Sequence, residues 1–210
     1  MRLKPRFFKS RALLLGTLSP LIAARIACAE PAADALPTGF ATSGPAAMTT
    51  SGNTMTVTQT DSRVIIDWES FDIGRDARVD FVQPGSRNIA INRVTNSSGD
   101  PSRIYGSLHA NGTVVILDRN GIVFGAGAKV DTSGIIAATG TLANPAGFLS
   151  GSHPVFNDVA AQSGARIDNH GEITVRGAGL AAFVAPEVHN SGIIRARLGN
   201  VTLASGDAAT

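Results

Sequence analysis

Ser107, His109 and Asp118 supply the residue types of a nucleophilic triad. A triad needs the serine, its histidine base and the orienting carboxylate within hydrogen-bond reach of one another. Here Ser107 and His109 share a β-like run while Asp118 falls in a later turn, so strands facing different ways are expected to separate them. A metal site would draw on His109, His153, His170 and His189, whose spacing matches no ligand cluster. His170 and His189, beside Asn169 and Asn190, could align one repeat apart; solvated turn histidines are the plainer reading. Gly125-Ala126-Gly127 opens like a phosphate loop but lacks the Gly-Lys-Ser/Thr ending and a following helix. Asn96-Ser97-Ser98, Asn111-Gly112-Thr113 and Asn200-Val201-Thr202 fit the N-glycosylation triplet, which arises by chance in a Thr-rich chain. These residues predict no enzyme: no catalytic, cofactor or metal site is assigned.

Charge narrows the partners. The formal net charge is +2, yet Arg2, Lys4, Arg6, Lys9, Arg11 and Arg25 all precede the first acidic residue, Glu30. Residues 30–210 carry 12 basic and 16 acidic groups, with Lys129 their one lysine. No Lys/Arg field is left for gripping phosphates, so nucleic acid is excluded as a partner. Residues 1–29 read as a secretory leader, with a cationic Met1–Arg11, an apolar Ala12–Ala24, and small residues Ala27 and Ala29 framing a cleavage site before Glu30. Arg25 argues against lipid attachment at Cys28, the only cysteine. Cleavage after Ala29 leaves an exported chain without disulfides, able to stay extended while threaded through a pore. Nothing after the leader reaches the ~18 apolar residues of a membrane span, so no stable membrane insertion is expected.

Strands must position whatever the chain carries. The 23 glycines, the abundance of Val, Ile and Thr, and the few aromatics favour short strands joined by tight turns. Residues 30–50 read as an irregular lead-in and N-terminal cap, and residues 51–210 as one β domain. Period-two alternation runs through Met55-Val57-Gln59, Val64-Ile66-Trp68, Val79-Phe81, Ile89-Ile91 and Val114-Ile116. Pro145–Ala161 breaks the rhythm as a short inserted loop with room for a helical turn. A weak repeat aligns Ala128–Ile136 with Ala165–Ile173 and with Ala185–Ile194, each running small residue, aliphatic, polar turn, glycine, aliphatic. Coils of about 20 residues with three short strands make a parallel β-helix. An antiparallel sandwich with similar spacing stays open, because short-strand periodicity does not fix pairing direction.

Several ordered motifs carry a resemblance. Ile66-Asp67-Trp68-Glu69-Ser70-Phe71-Asp72-Ile73-Gly74, Val79-Asp80-Phe81-Val82-Gln83-Pro84, Asn92-Arg93-Val94-Thr95, Pro101–Gly112 and Asp118–Asp131 resemble the two-partner-secretion domain of filamentous-haemagglutinin-like exoproteins. The likeness runs from about residue 36 to the end of the sequence. Asp118-Arg119-Asn120-Gly121-Ile122 departs from that family's Asn-Pro-Asn-Gly-Ile, keeping the Asn-Gly turn and losing its proline. The resemblance implies an all-β, right-handed parallel β-helix with N-terminal capping strands. It implies a Gram-negative exoprotein that enters the periplasm by the general secretory route. There a dedicated TpsB-type outer-membrane barrel transporter would recognise it, and it would fold at the cell surface. Asn92, Arg93, Val94 and Asp118–Ile122 are the candidate recognition and turn residues.

Three function classes follow. The first is an adhesin or haemagglutinin passenger with a host or neighbouring-cell surface as a further partner. The second is the delivery end of a toxin or haemolysin. The third is a β-helical polysaccharide-active enzyme, disfavoured because the acidic residues look scattered and mostly lie in turns. The rhythm stops at Gly206–Thr210 without an obvious cap, which suggests a fragment or truncated product.

Overall fold

The computed structural model describes residues 29–159 and 162–206. Ala27 of the expected cleavage site lies outside the described residues; Ala29 lies inside, its carbonyl accepting a hydrogen bond from Arg103 Nη1 at 3.0 Å. The chain winds into a parallel β-solenoid of about six turns. Sheet I stacks β1 (Ala41–Ser43), β4 (Arg63–Trp68), β6 (Ile89–Val94), β9 (Thr113–Leu117), β12 (Gly134–Ala138), β17 (Leu180–Ala185) and β20 (Asn200–Ser205). Sheet II stacks β2 (Ala46–Ser51), β3 (Thr54–Gln59), β5 (Arg78–Val82), β8 (Ser107–Ala110), β11 (Lys129–Thr132), β16 (Glu172–Val175) and β19 (Ile193–Ala196). Sheet III holds β7 (Ser102–Ile104), β10 (Ile122–Phe124), β15 (Arg166–Asn169) and β18 (Glu187–Asn190). Pairing within these sheets is parallel except where β1 meets β4 and β2 meets β3, which rules out the sandwich. The lead-in read as irregular thus contributes two antiparallel strands over the first rung.

Inward side chains stack rung on rung. In sheet II the ladder is Met55, Val79, Leu108, Val130, Ile173 and Ile194. In sheet I it is Val64, Ala90, Val114, Ile135, Ala181 and Val201. The sequence repeat is right in kind but misplaced for its first member. Val130 lies on Ile173, whereas Ile167 lies between Ile122 and Val188. Gly112 and Gly134 turn the chain from sheet II into sheet I, while Gly171 and Gly192 turn it from sheet III into sheet II. All corners share one local pattern, so periodicity does not tell which corner a glycine serves.

Sheet I differs from the others in being covered on both sides. The outward residues Ile65, Ile91, Val115 and Leu117 form a second apolar cluster with Leu142 and Phe148. The inserted segment supplies this cover through β13 (Thr141–Leu142), the one-turn helix α1 (Pro145–Leu149) and β14 (Phe156–Asn157). Strands buried on both faces read as unbroken apolar runs, as Val64-Ile65-Ile66 and Val114–Leu117 do. Arg63 fastens the insert: its Nη1 donates to the Phe148 carbonyl at 2.8 Å and its guanidinium lies 5.3 Å from the Phe148 ring centre. Replacing Phe148 with Ala is expected to cost about 3 kcal/mol. It should also speed amide exchange across residues 141–157 before the sheet II ladder opens, as read by melting and by hydrogen exchange.

Candidate functional site

The sequence-selected segments converge on the corner where sheet I meets sheet III. Asn92 occupies an inward position of β6, directly between Ile66 of β4 and Ile116 of β9. A polar side chain in an aliphatic ladder must be satisfied locally, because an unpaired buried amide costs about 1–3 kcal/mol. Asn92 is fully buried, and its Oδ1 accepts the Trp68 indole N–H at 3.0 Å. Its Nδ2 donates to the Val115 carbonyl at 3.1 Å. Trp68 is held in turn by edge-on contacts with Phe40 and Phe71. The next residue, Arg93, points outward and grips Asp67 on the adjacent rung with two bonds, Nε to Oδ1 at 2.6 Å and Nη2 to Oδ2 at 2.7 Å. Val94 lies half-buried against the main core.

The second segment is a turn closed by its own aspartate. Asp118 is buried; its Oδ1 accepts the Asn120 backbone N–H at 2.9 Å and its Oδ2 accepts the Ser102 hydroxyl at 2.7 Å. The backbone closes the same turn, Gly121 N–H donating to the Asp118 carbonyl at 3.2 Å. Asp118 thereby restrains the turn in which Arg119 stands where the family carries proline. Gly121 has φ +119°, and a Cβ there would stand 2.8 Å from the Arg166 carbonyl, so glycine is required twice over. Ile122 then enters β10 fully buried. Arg119 is exposed at the turn's tip, and Asn120 Nδ2 donates to Asn96 Oδ1 at 3.2 Å. Between the two segments lies a groove of about 580 Å³, lined by Arg93 and Val94 from one and by Arg119 and Asn120 from the other.

Asp67, Trp68 and Ser102 complete the corner and were not among the chosen site residues. The Asp67-Trp68 pair within the first family-like motif was the available signal, but its link to Asn92 and Arg93 needs the rung register. Burial pushes the Asp118 carboxyl up to about 6, opposed by the hydrogen bonds from Ser102 and Asn120 and reinforced by Asp72.

The other chemistry-bearing residues stay apart. Ser107 and His109 lie on the same outer face of sheet II, while Asp118 is spent on Ser102 at another corner. Burial, with help from Arg78, holds the His109 imidazole below its ordinary value. His170 and His189 do not align: His189 lies on Asp168, and His170 Nδ1 meets the Ser191 hydroxyl at 2.6 Å. Among the described residues no group of three His, Cys, Asp or Glu side chains could hold a metal. Most of the described acidic residues lie between strands, while Asp67, Asp80, Asp131 and Asp168 are outward strand residues paired with Arg93, Arg78, Arg176 and Arg166.

Comparison with known proteins follows the same line. The family described as TPS secretion domain matches residues 33–210. A heme/hemopexin-binding protein of Haemophilus influenzae strain Rd is 43% identical over 88 residues, which is 42% of this chain and 10% of that protein. A second heme/hemopexin-binding protein of Haemophilus influenzae is 40% identical over 82 residues, 39% of this chain and 9% of that protein. The chain thus matches about a tenth of the length of these curated relatives. The crystal structure of the HMW1 secretion domain from Haemophilus influenzae superposes with a TM-score of 0.73 at 29% identity, covering 81% of this chain and 45% of that one.

Two substitutions probe the corner. A carboxyl whose folded value is raised stabilises the fold fully below its unfolded value near 4, and that contribution is lost as pH rises through about 6. Asp118→Asn keeps the turn acceptor and removes the charge. It should be more stable than the parent by up to about 3 kcal/mol at pH 7.5, the gap closing toward pH 4, as read by denaturant unfolding. A pH-independent gap would contradict the assignment. Asn92→Leu strands the Trp68 indole N–H and should cost about 2 kcal/mol. Fluorescence of Trp68, the one tryptophan, reports it cleanly.

Proposed function

Since the chain belongs to the TPS secretion domain family, the secretion domain of two-partner-secretion exoproteins, we propose that its sheet I–sheet III corner is read by a TpsB-type outer-membrane barrel during export. The observation that carries this is the meeting of Asn92–Val94 with Asp118–Ile122 around one groove, with Arg119 and Asn120 presented at its edge. The same residues are short, polar and turn-forming, so an extended chain in the periplasm can display them before they close into a corner. Residues 1–29, cut after Ala29, bring the chain across the inner membrane. Folding outside buries the ladders rung by rung and opposes back-sliding, so the fold itself biases transport. The domain is a non-catalytic delivery element of an adhesin-type exoprotein at the cell surface, facing a host or neighbouring cell. A toxin or haemolysin would use the same delivery geometry.

A second reading, supported by the 43% identity over 88 residues to a heme/hemopexin-binding protein, is that the exoprotein is of that type. Hemin titrated against the secreted exoprotein, followed in its visible absorption band, separates the two. For the export reading, the full chain is produced in a Gram-negative host with and without a cognate barrel. It should reach the medium only with the barrel, and Asn120→Ala should lower export about tenfold through one lost recognition hydrogen bond, while the lost bond to Asn96 lowers the melting temperature only slightly. Equal export without any such barrel defeats the proposal.

A further inference from the structure

The groove has a chemical character that export does not require. Arg119 makes no side-chain hydrogen bond or ion pair among the described residues, although it is exposed at the rim. Arg93 spends Nε and Nη2 on Asp67, and its Nη1 has no acceptor among the described residues. Among the described residues no aspartate or glutamate lines the cavity. Asp118 is turned toward Ser102, and Asp158 stands behind Thr141, whose hydroxyl it accepts at 3.3 Å. One uncompensated guanidinium in a walled groove therefore sets a positive potential there.

Shape and lining narrow the ligand further. Leu117 and Leu142 give an aliphatic floor, while Asn96 and Asn120 bring amides to the side. Asn96 uses its Oδ1 as an acceptor for Asn120 and Ser98, which leaves its Nδ2 donors without an acceptor among the described residues. A volume of about 580 Å³ is far larger than a bare ion needs and lies in the range of small organic ligands. Among the described residues no aromatic ring lines it to stack a nucleobase, and the one free cation they supply is too few for a polyphosphate. A saccharide suits both parts of the lining. Its C–H face packs on Leu117 and Leu142, and its hydroxyls exchange hydrogen bonds with the amides. The free guanidinium selects an anionic one by a charge-assisted, two-pronged contact.

We propose that the groove between the 93–97 segment and the 118–121 turn binds a mono- or disaccharide bearing a carboxylate or a sulfate, with Arg119 pairing the oxyanion. The site stands independently of export. Glucuronate, glucose 6-sulfate, glucose and sodium sulfate are titrated separately into the folded full chain, following the Arg119 side-chain and Asn96 amide resonances. The two anionic sugars should shift these resonances saturably with dissociation constants of about millimolar, the range a ligand of this size allows. Glucose should bind about tenfold more weakly, since it lacks the charge-assisted contact. Arg119→Gln should weaken the anionic sugars about tenfold with an unchanged melting temperature, and Arg119→Lys should restore part of the loss. Arg78→Gln, on the outer face of sheet II, should change nothing. A preference for glucuronate or for the sulfate ester identifies which oxyanion the site takes, and either supports the proposal. Sodium sulfate matching the sugars, glucose matching the anions, no saturable shift, or undiminished binding by Arg119→Gln each overturns it. An acidic peptide that outcompetes both sugars overturns it as well.

Discussion

Val130 rests on Leu108 and carries Ile173, and the same relation repeats up every inward column of the solenoid. A single coil cannot bury its own interior, so each rung takes its cover from the rungs beside it. Each aliphatic placed in the stack is worth about 1.5–3 kcal/mol relative to exposure, and that gain exists only if the register is kept. A one-residue slip would turn a column outward. The other features of the fold answer to this stacking. At the N-terminal end, β1 and β2 run antiparallel across the first rung and cover edges that would otherwise be open to pairing.

Polar residues inside such a stack are tolerated only where their bonds are complete, and they cluster at the corner of sheets I and III. Asn92 interrupts the Ile66–Ile116 column and is fixed by Trp68 below and the Val115 carbonyl above. Asp118 ends the next rung and is fixed by Ser102 and Asn120. Both tie adjacent rungs together through directional bonds, which reinforce the register that the apolar columns set. The segments that resemble the family's motifs are thus also the places where the coil is pinned. In the proposed export, recognition of an extended chain and closure of the finished fold draw on the same side chains.

The inserted segment shows a different use of apolar surface. It interrupts the repeat between the fourth and fifth rungs and returns over the outer face of sheet I, where Phe148 and Leu142 cap Ile65, Ile91, Val115 and Leu117. This cover forms one wall of the groove through Thr141 and Leu142. The 95–99 segment and the 118–121 turn form the others. A cavity at this corner therefore exists because a solenoid rung carries an insertion, and its charge exists because Arg119 has no partner among the described residues.

Much of this was legible along the chain. Period-two alternation, turn glycines and the repeat set a stacked β architecture, because strand faces and tight turns leave local marks in residue type. The ordered motifs pointed to the family whose model the chain matches. Three-dimensional register was not legible. Ala128–Ile136 resembles Ala165–Ile173 although they occupy different faces, since every corner is built from the same kinds of residue. The unbroken runs at Val64-Ile65-Ile66 and Val114–Leu117 carried the signal of a two-sided sheet, yet only the fold shows that the insertion provides the second side. Sequence alone determined that the chain coils and which segments are special. Tertiary structure decided that Asn92 meets Trp68, that Asp118 closes a turn with Ser102, and that Arg119 stands unpaired beside a groove. Those contacts join residues some 16 to 24 positions apart, and only the stacking of whole rungs brings them within reach.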